Sequence, residues 1–285
     1  MRWSDLRRSG NVEDRRGFRP RGGGVAISGG GLLLLLAVAY LTGADPIAML
    51  ESMGGPSASI DGSQQGQAGA PSDQLGQFSA AVLGSTEDVW GEVFSEGGHS
   101  YRRPTLVLFS GAVESACGFT SAAVGPFYCP LDGKVYIDLS FFDELDRRFG
   151  APGDFAQAYV LAHEVGHHVQ NLLGISDKVR AAQQRADEDA ANALSVRLEL
   201  QADCLAGVWA NRAQRTQALL EPGDLEEGLA AASAIGDDQL QRRAQGYTVP
   251  ESWTHGSSEM RTRWLRRGAS SGSVQSCDTF ASDEL

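Results

Sequence analysis

The chain has 285 residues, 42% of them hydrophobic, with 24 basic and 36 acidic side chains and a formal net charge of −12. That acidic surplus argues against nucleic acid as a partner and against electrostatic adhesion to anionic lipid. The length leaves room for one domain with a sizeable core after any terminal segments are set aside.

The N-terminal end is unlike the rest. Residues 1–23 hold seven arginines (Arg2, Arg7, Arg8, Arg15, Arg16, Arg19, Arg21) against three acids, and residues 24–44 carry no charge. An uncharged run of that length suffices to span a bilayer. The positive-inside rule then predicts a cytoplasmic basic segment over 1–23, a single-pass transmembrane anchor over 24–44 in the inner membrane, and everything after Ala44 on the extracytoplasmic, periplasmic side. A signal cleaved near Ala37-Val38-Ala39 is the alternative. Beyond Ala44 the chain has 17 basic and 33 acidic side chains. Residues 45–74, rich in Gly, Ser, Gln and Ala from about Glu51, read as a flexible linker, and residues 75–285 as the functional domain.

Strand signals come first in that domain. Thr105 to Phe109 is a short β-rich run, and Lys134 to Leu139 alternates after a turn at Asp132-Gly133. Between them, Gly125-Pro126-Phe127-Tyr128-Cys129-Pro130 suits the edge of a sheet, because its prolines exclude it from a central strand. An edge of this kind lets an extended peptide add by main-chain pairing.

A helix signal follows. Pro152-Gly153 makes a turn, Asp154 is a good N-cap and Gln157 completes a capping box. Phe155, Tyr159, Ala162, Gly166, Val169 and Leu173 recur at helical spacing, and Gly174 stands where a left-handed C-cap is expected. On this helix lies His163-Glu164-Val165-Gly166-His167, an H-E-x-x-H motif. Its two imidazoles fall on one face, one turn apart, at the spacing that binds one zinc ion, and Glu164 lies where it can take a proton from a water held there. His168 is about 100° off that face and stays outside the ligand set.

Two histidines need a third protein ligand. Leu194 to Ala210 reads as a helix that is apolar on most sides, yet it carries Glu199 and Asp203 four residues apart on one face. Burying such charges is costly unless a cation or strong donors compensate. Glu199 is the candidate third ligand. Asp203 is the candidate acceptor for the second ring N–H of a zinc-bound histidine. A solvated polar stripe with Arg197 and Gln201 is the competing reading.

The C-terminal third is mostly helical. Asp224 after Pro222-Gly223 is an expected N-cap, with Glu227 completing its capping box and Leu225 to Ile235 forming the helix. His255 precedes a helix expected from about Ser257 to Arg267, and a hydrolase needs a donor for the oxyanion on the attacked carbonyl. The spacing from His255 to Arg261 is similar to the H-P-x-x-x-x-R element of HtpX-type membrane metallopeptidases, with Gly256 in place of proline. His255 is therefore the candidate oxyanion donor and Arg261 a residue that orients it or a nearby carboxylate. Four cysteines permit three pairings. The preferred one joins Cys117 to Cys129, a short local closure, and Cys204 to Cys277, which ties the tail to the second zinc helix.

Four segments together carry a family resemblance: Asn11 to Gly17, His163 to Gln170, Glu199 to Cys204, and Thr254 to Ser258. The chain resembles the bacterial neutral zinc metallopeptidases of the YpfJ type, with the gluzincin pattern of H-E-x-x-H followed by E-x-x-x-D. The resemblance implies an α+β zincin-like fold, a small sheet followed by a mostly helical part, here preceded by one transmembrane helix. It also implies a Zn2+ cofactor and peptide hydrolysis; a peptide or protein substrate follows from that activity, and the resemblance itself supplies no particular one. A non-enzymatic scaffold for an envelope partner, and a zinc hydrolase of non-peptide amides, are the rival readings.

Overall fold

The computed structural model describes residues 1–17 and 66–285. Its main sheet runs in the order β2 (Gln67–Ala68), β1 (Val12–Asp14), β3 (Thr105–Phe109), β7 (Lys134–Asp138), β6 (Phe127–Cys129). The β1–β3 and β3–β7 pairs are parallel and the two outer pairs antiparallel. β3 reads Thr-Leu-Val-Leu-Phe, an unbroken apolar run suited to a strand covered on both faces. Its alternate side chains serve different cores. Leu106 and Leu108, with Val135 and Ile137 of β7, pack under the helices, whereas Val107 and Phe109 join Tyr136, Cys129 and Val113 in a smaller cluster. Val113 belongs to a separate hairpin of β4 (Ala112–Ser115) and β5 (Gly118–Ser121). The Cys117–Cys129 disulfide ties this hairpin to β6.

Eight α-helices are present among the described residues: α1 (Gln74–Glu96), α2 (Ser140–Arg147), α3 (Asp154–Leu172), α4 (Ile175–Gln183), α5 (Glu188–Gln217), α6 (Asp224–Ala234), α7 (Asp237–Gln245) and α8 (Ser258–Ser271). α3 carries the H-E-x-x-H segment and α5 carries Glu199 and Asp203. The second disulfide, Cys204–Cys277, fastens the C-terminal tail to α5.

Two glycine contacts bring the helices close. A Cβ on Gly268 of α8 would lie 1.9 Å from the Cys204 carbonyl oxygen, and one on Gly207 of α5 would lie 2.2 Å from that of Leu265. The helices therefore cross backbone against backbone. Helix starts depart from the local pattern for a tertiary reason. Asp154 and Asp224 are first residues of their helices, not caps, and their caps are Gly153 and Gly223. Asp154 Oδ1 instead accepts from the Met1 amino group at 2.7 Å, and Glu227 of α6 accepts the Phe155 N–H at 3.1 Å. One helix is capped by another.

The expected transmembrane topology is overturned here. The span drawn over 24–44 lies outside the described residues, and among those residues no helix is long and apolar enough to cross a membrane. The decisive observation is the placement of residues 1–16, which belong to the same unit as residues 66–285. β1 pairs with β2 on one side and β3 on the other. Buried Glu87 of α1 accepts from Ser9 Oγ at 2.6 Å, Asn11 Nδ2 at 2.6 Å and Arg7 Nη2 at 2.9 Å. A strand cannot pair across a hydrocarbon layer about 30 Å thick. Residues 1–16 and the domain thus share one side, and neither the single-pass anchor with a cytoplasmic 1–23 nor the extracytoplasmic assignment built on it stands. Of the linker expected over 45–74, residues 45–65 lie outside the described residues, whereas Gln67–Ala68 forms β2 and Asp73 caps α1 through the Gly76 N–H.

The α5–α8 crossing gives a stability test. Gly268→Ala should lower unfolding stability by roughly 3 kcal/mol, because backbone must move to admit the methyl group. Urea denaturation measures it, and a loss under about 0.5 kcal/mol would show that the crossing tolerates a side chain.

Candidate metal centre

His163 and His167 stand one turn apart on α3, and both rings point at α5. His163 Nε2 lies 3.0 Å from Glu199 Oε2, and His167 Nε2 lies 3.4 Å from Glu199 Oε1. One donor atom from each of the three residues falls within 4.8 Å of the others. The far side of each ring is also held. His163 Nδ1 is 2.8 Å from Asp203 Oδ1, and His167 Nδ1 is 2.8 Å from Gln170 Oε1. Both partners are acceptors, so each Nδ1 carries the proton and donates it. Each Nε2 is thereby aimed at the shared centre, where it offers a lone pair once the proton it shares with Glu199 is displaced.

The charge balance fits a divalent cation. Glu164, Glu199 and Asp203 bring three carboxylates into this region, and Arg261 brings one guanidinium. Asp203 is fully buried and accepts from Arg261 Nε at 2.9 Å, Arg261 Nη2 at 3.0 Å, and the Tyr159 hydroxyl at 2.5 Å. Burial alone would raise its pKa, but the Arg261 charge and His163 outweigh burial and hold it down to about 2. Arg261 therefore cancels Asp203. The charges of Glu164 and Glu199 remain for a cation such as Zn2+.

Protons occupy the same balance when no metal does. Burial works against a charge on His163, yet Asp203 and Glu199 overcome it and lift its pKa to about 10. His167 moves in the same direction, with Glu199 outweighing burial. Burial pushes Glu199 up, but the two imidazoles hold it well below the usual carboxylate range. Loading the site thus exchanges protons for metal. Glu164 differs: burial raises its pKa, and the histidines only moderate the rise. It has no hydrogen-bond partner among the described residues. An unencumbered carboxylate with a raised pKa is suited to carry a proton both ways.

A cleft of about 630 Å3 opens over this centre, lined by His163, Glu164, His167, Glu199 and His255, with β6 along one side. His255 is half-exposed and close to α7. Asp237 Oδ2 accepts the backbone N–H groups of Thr254, His255 and Gly256 at 2.9, 2.7 and 3.0 Å, while Oδ1 is 3.3 Å from His255 Nδ1. One carboxylate thus holds the loop and faces the ring. Arg261 serves Asp203 and does not reach His255 by any hydrogen bond among the described residues.

Two of these partners escape a reading of the sequence. Tyr159 looks like one more member of an apolar stripe, and Asp237 sits eighteen residues before His255 with no motif to link them. The cysteine pairs 117–129 and 204–277 are both formed. A second acidic group, Asp154, Asp224 and Glu227, lies at the helix starts described above, where the Met1 amino group is the cation.

Comparison with known proteins now joins the geometry. Residues 1–280 match the family described as "Putative neutral zinc metallopeptidase". The chain belongs to that family. It is 49% identical to the uncharacterized protein YpfJ of Escherichia coli (strain K12), covering 98% of this chain and 99% of that one. It is 44% identical to the uncharacterized protein Rv2575 of Mycobacterium tuberculosis (strain ATCC 25618 / H37Rv), covering 78% of this chain and 76% of that one. No solved structure matches. A member of this family is expected to use zinc, and the donor set on α3 and α5 suits that ion.

Two measurements test the centre. Glu199→Ala should reduce bound zinc after dialysis by at least about tenfold, read by atomic absorption, while the fold persists by circular dichroism; retained zinc would remove Glu199 from the ligand set. The second concerns His255, whose pKa is raised chiefly by Asp237 against the opposing effect of burial. A raised folded pKa contributes stability that is complete below the unfolded imidazole value of about 6.5 and is lost as pH rises through the folded value. Asp237→Asn should therefore lower the His255 pKa seen by NMR, and an unchanged titration would break the pairing.

Proposed function

We propose that the protein is a zinc-dependent endopeptidase acting on peptide or protein substrates, with His163, His167 and Glu199 holding the metal. The observation that carries this reading is the convergence of both Nε2 atoms and one carboxylate beneath a cleft that also contains Glu164, which has no hydrogen-bond partner among the described residues. Zinc at such a site lowers the pKa of a water towards about 7 and polarises a carbonyl.

The protein's own groups supply the rest. Glu164 takes the proton from the attacking water and delivers it to the leaving amine, a role open to it because no hydrogen bond among the described residues engages its carboxylate. His255 donates to the oxygen of the attacked carbonyl as negative charge develops there, steadied by Asp237. β6 is the outer strand of the sheet and lines the cleft, so an extended substrate can add to it by main-chain pairing. Asp203, held by Tyr159 and Arg261, keeps the His163 ring turned to the metal.

The test is cleavage of denatured casein by the purified zinc-loaded protein. Glu164→Gln should retain metal and lose turnover by a factor of ~10²–10⁴. Equal cleavage by both proteins, or none by either under metal-replete conditions, would rule the peptidase reading out.

A further inference from the structure

His168 follows the metal-binding His167 but faces elsewhere. Its Nε2 is 2.6 Å from the Arg102 carbonyl oxygen, which can only accept, so that nitrogen carries the proton. Nδ1 is then an acceptor, and its neighbour at 3.0 Å is the Tyr128 hydroxyl. Tyr128 therefore donates to His168. The same hydroxyl oxygen accepts from Asn171 Nδ2 at 3.0 Å, and Asn171 lies one turn along α3 on the same face as His168. Tyr101 and Tyr128 both pack edge-on against the His168 ring, at centroid distances of 5.7 and 5.4 Å. Donors and acceptors are matched among His168, Tyr128, the Asn171 amide N–H and the Arg102 carbonyl, while the buried Tyr101 hydroxyl has no partner among the described residues and contributes only its ring.

Tyr128 is the middle residue of β6 and also lines the cleft. α3 thus presents two faces with different duties. One turns His163 and His167 to the metal centre. The other, about 100° round the helix at His168, grips the strand that borders the cleft. A single rigid helix fixes how far the strand edge stands from the metal ligands.

We propose that Tyr128 is a positioning residue: through His168 and Asn171 it locks β6 to the metal-binding helix, so that a backbone laid along that edge presents its carbonyl at the His163–His167–Glu199 centre. This rests on the peptidase reading for its catalytic consequence, although the lock itself does not. Positioning matters because a misplacement of ~1 Å can cost about a hundredfold in rate. The disulfide at Cys129 ties β6 to the β4–β5 hairpin, not to α3, and does not replace the lock.

Tyr128→Phe keeps the ring and removes the hydroxyl. In the zinc-loaded protein, amide hydrogen exchange across Phe127–Cys129 should rise at least about tenfold, while that of Val160–His167 and the zinc content stay as in the unmodified chain. For a quenched peptide taken from a casein cleavage site, kcat should fall about tenfold or more with KM within about twofold, since the edge still binds but no longer at the right height. A residue that only adds stability would lower Tm and leave kcat intact well below it. Unchanged exchange at β6, or an unchanged kcat with exchange raised, overturns the proposal. If the unmodified protein shows no Glu164-dependent cleavage, the peptidase reading falls, and exchange at β6 alone decides whether Tyr128 locks the strand.

Discussion

α3 and α5 touch at Gly166 and Ala202, and the arrangement of the candidate metal centre depends on that contact. A Cβ on Gly166 would stand 3.0 Å from the Ala202 carbonyl oxygen and 3.3 Å from its Cβ, closer than side chains ordinarily pack. Gly166 lies three residues after His163 and one before His167; Ala202 lies three after Glu199 and one before Asp203. The crossing point therefore falls inside both motifs. This short separation is what brings donor atoms of His163, His167 and Glu199 within 4.8 Å of one another, as the proposed ligand set requires. The glycine costs about 1 kcal/mol of helix propensity, which the packing around it offsets.

A second crossing, between Gly207 and Gly268, extends this arrangement to α8. It brings Arg261 against Asp203 in a region with almost no water contact. A buried ion pair of this kind contributes little net stability, since desolvation consumes much of its attraction. Its worth is directional. Asp203 is held by two guanidinium nitrogens and a tyrosine hydroxyl, so the oxygen offered to His163 has no freedom to turn away. The rigid backbone crossings thereby pass into the orientation of a single imidazole.

What could be read from the sequence was local. H-E-x-x-H and E-x-x-x-D each lie on one helix, and helical spacing alone places their members on one face. β3 was legible because it is a continuous apolar run, and the outer position of β6 because prolines flank it. Long-range pairings left no such mark. Asp237 finds His255, and Glu227 caps a helix that is not its own, although Asp154-x-x-Gln157 and Asp224-x-x-Glu227 both satisfy the local capping rule. α1 was overlooked because Gly, Ser and Gln at its start resemble the linker before it, and because it is buried on most sides and shows no polar stripe. The charge asymmetry around residues 24–44 pointed to opposite sides of a membrane. Val12, one apolar residue in a basic segment, gave no hint that it would be buried beside Leu106.

That placement of β1 bears on how the protein is made. Its parallel partner lies about ninety residues further along the chain, a pairing that is slow to form because the intervening loop must first be closed. Until then β3, with its Leu-Val-Leu-Phe run, has an open edge of the kind that recruits strands from other molecules. Once seated, β1 shields it, and Glu87 holds β1 in place. Seating residues 12–14 thus closes an apolar strand edge that the rest of the sheet leaves open, so the same contact that completes the sheet also removes a site for association between copies.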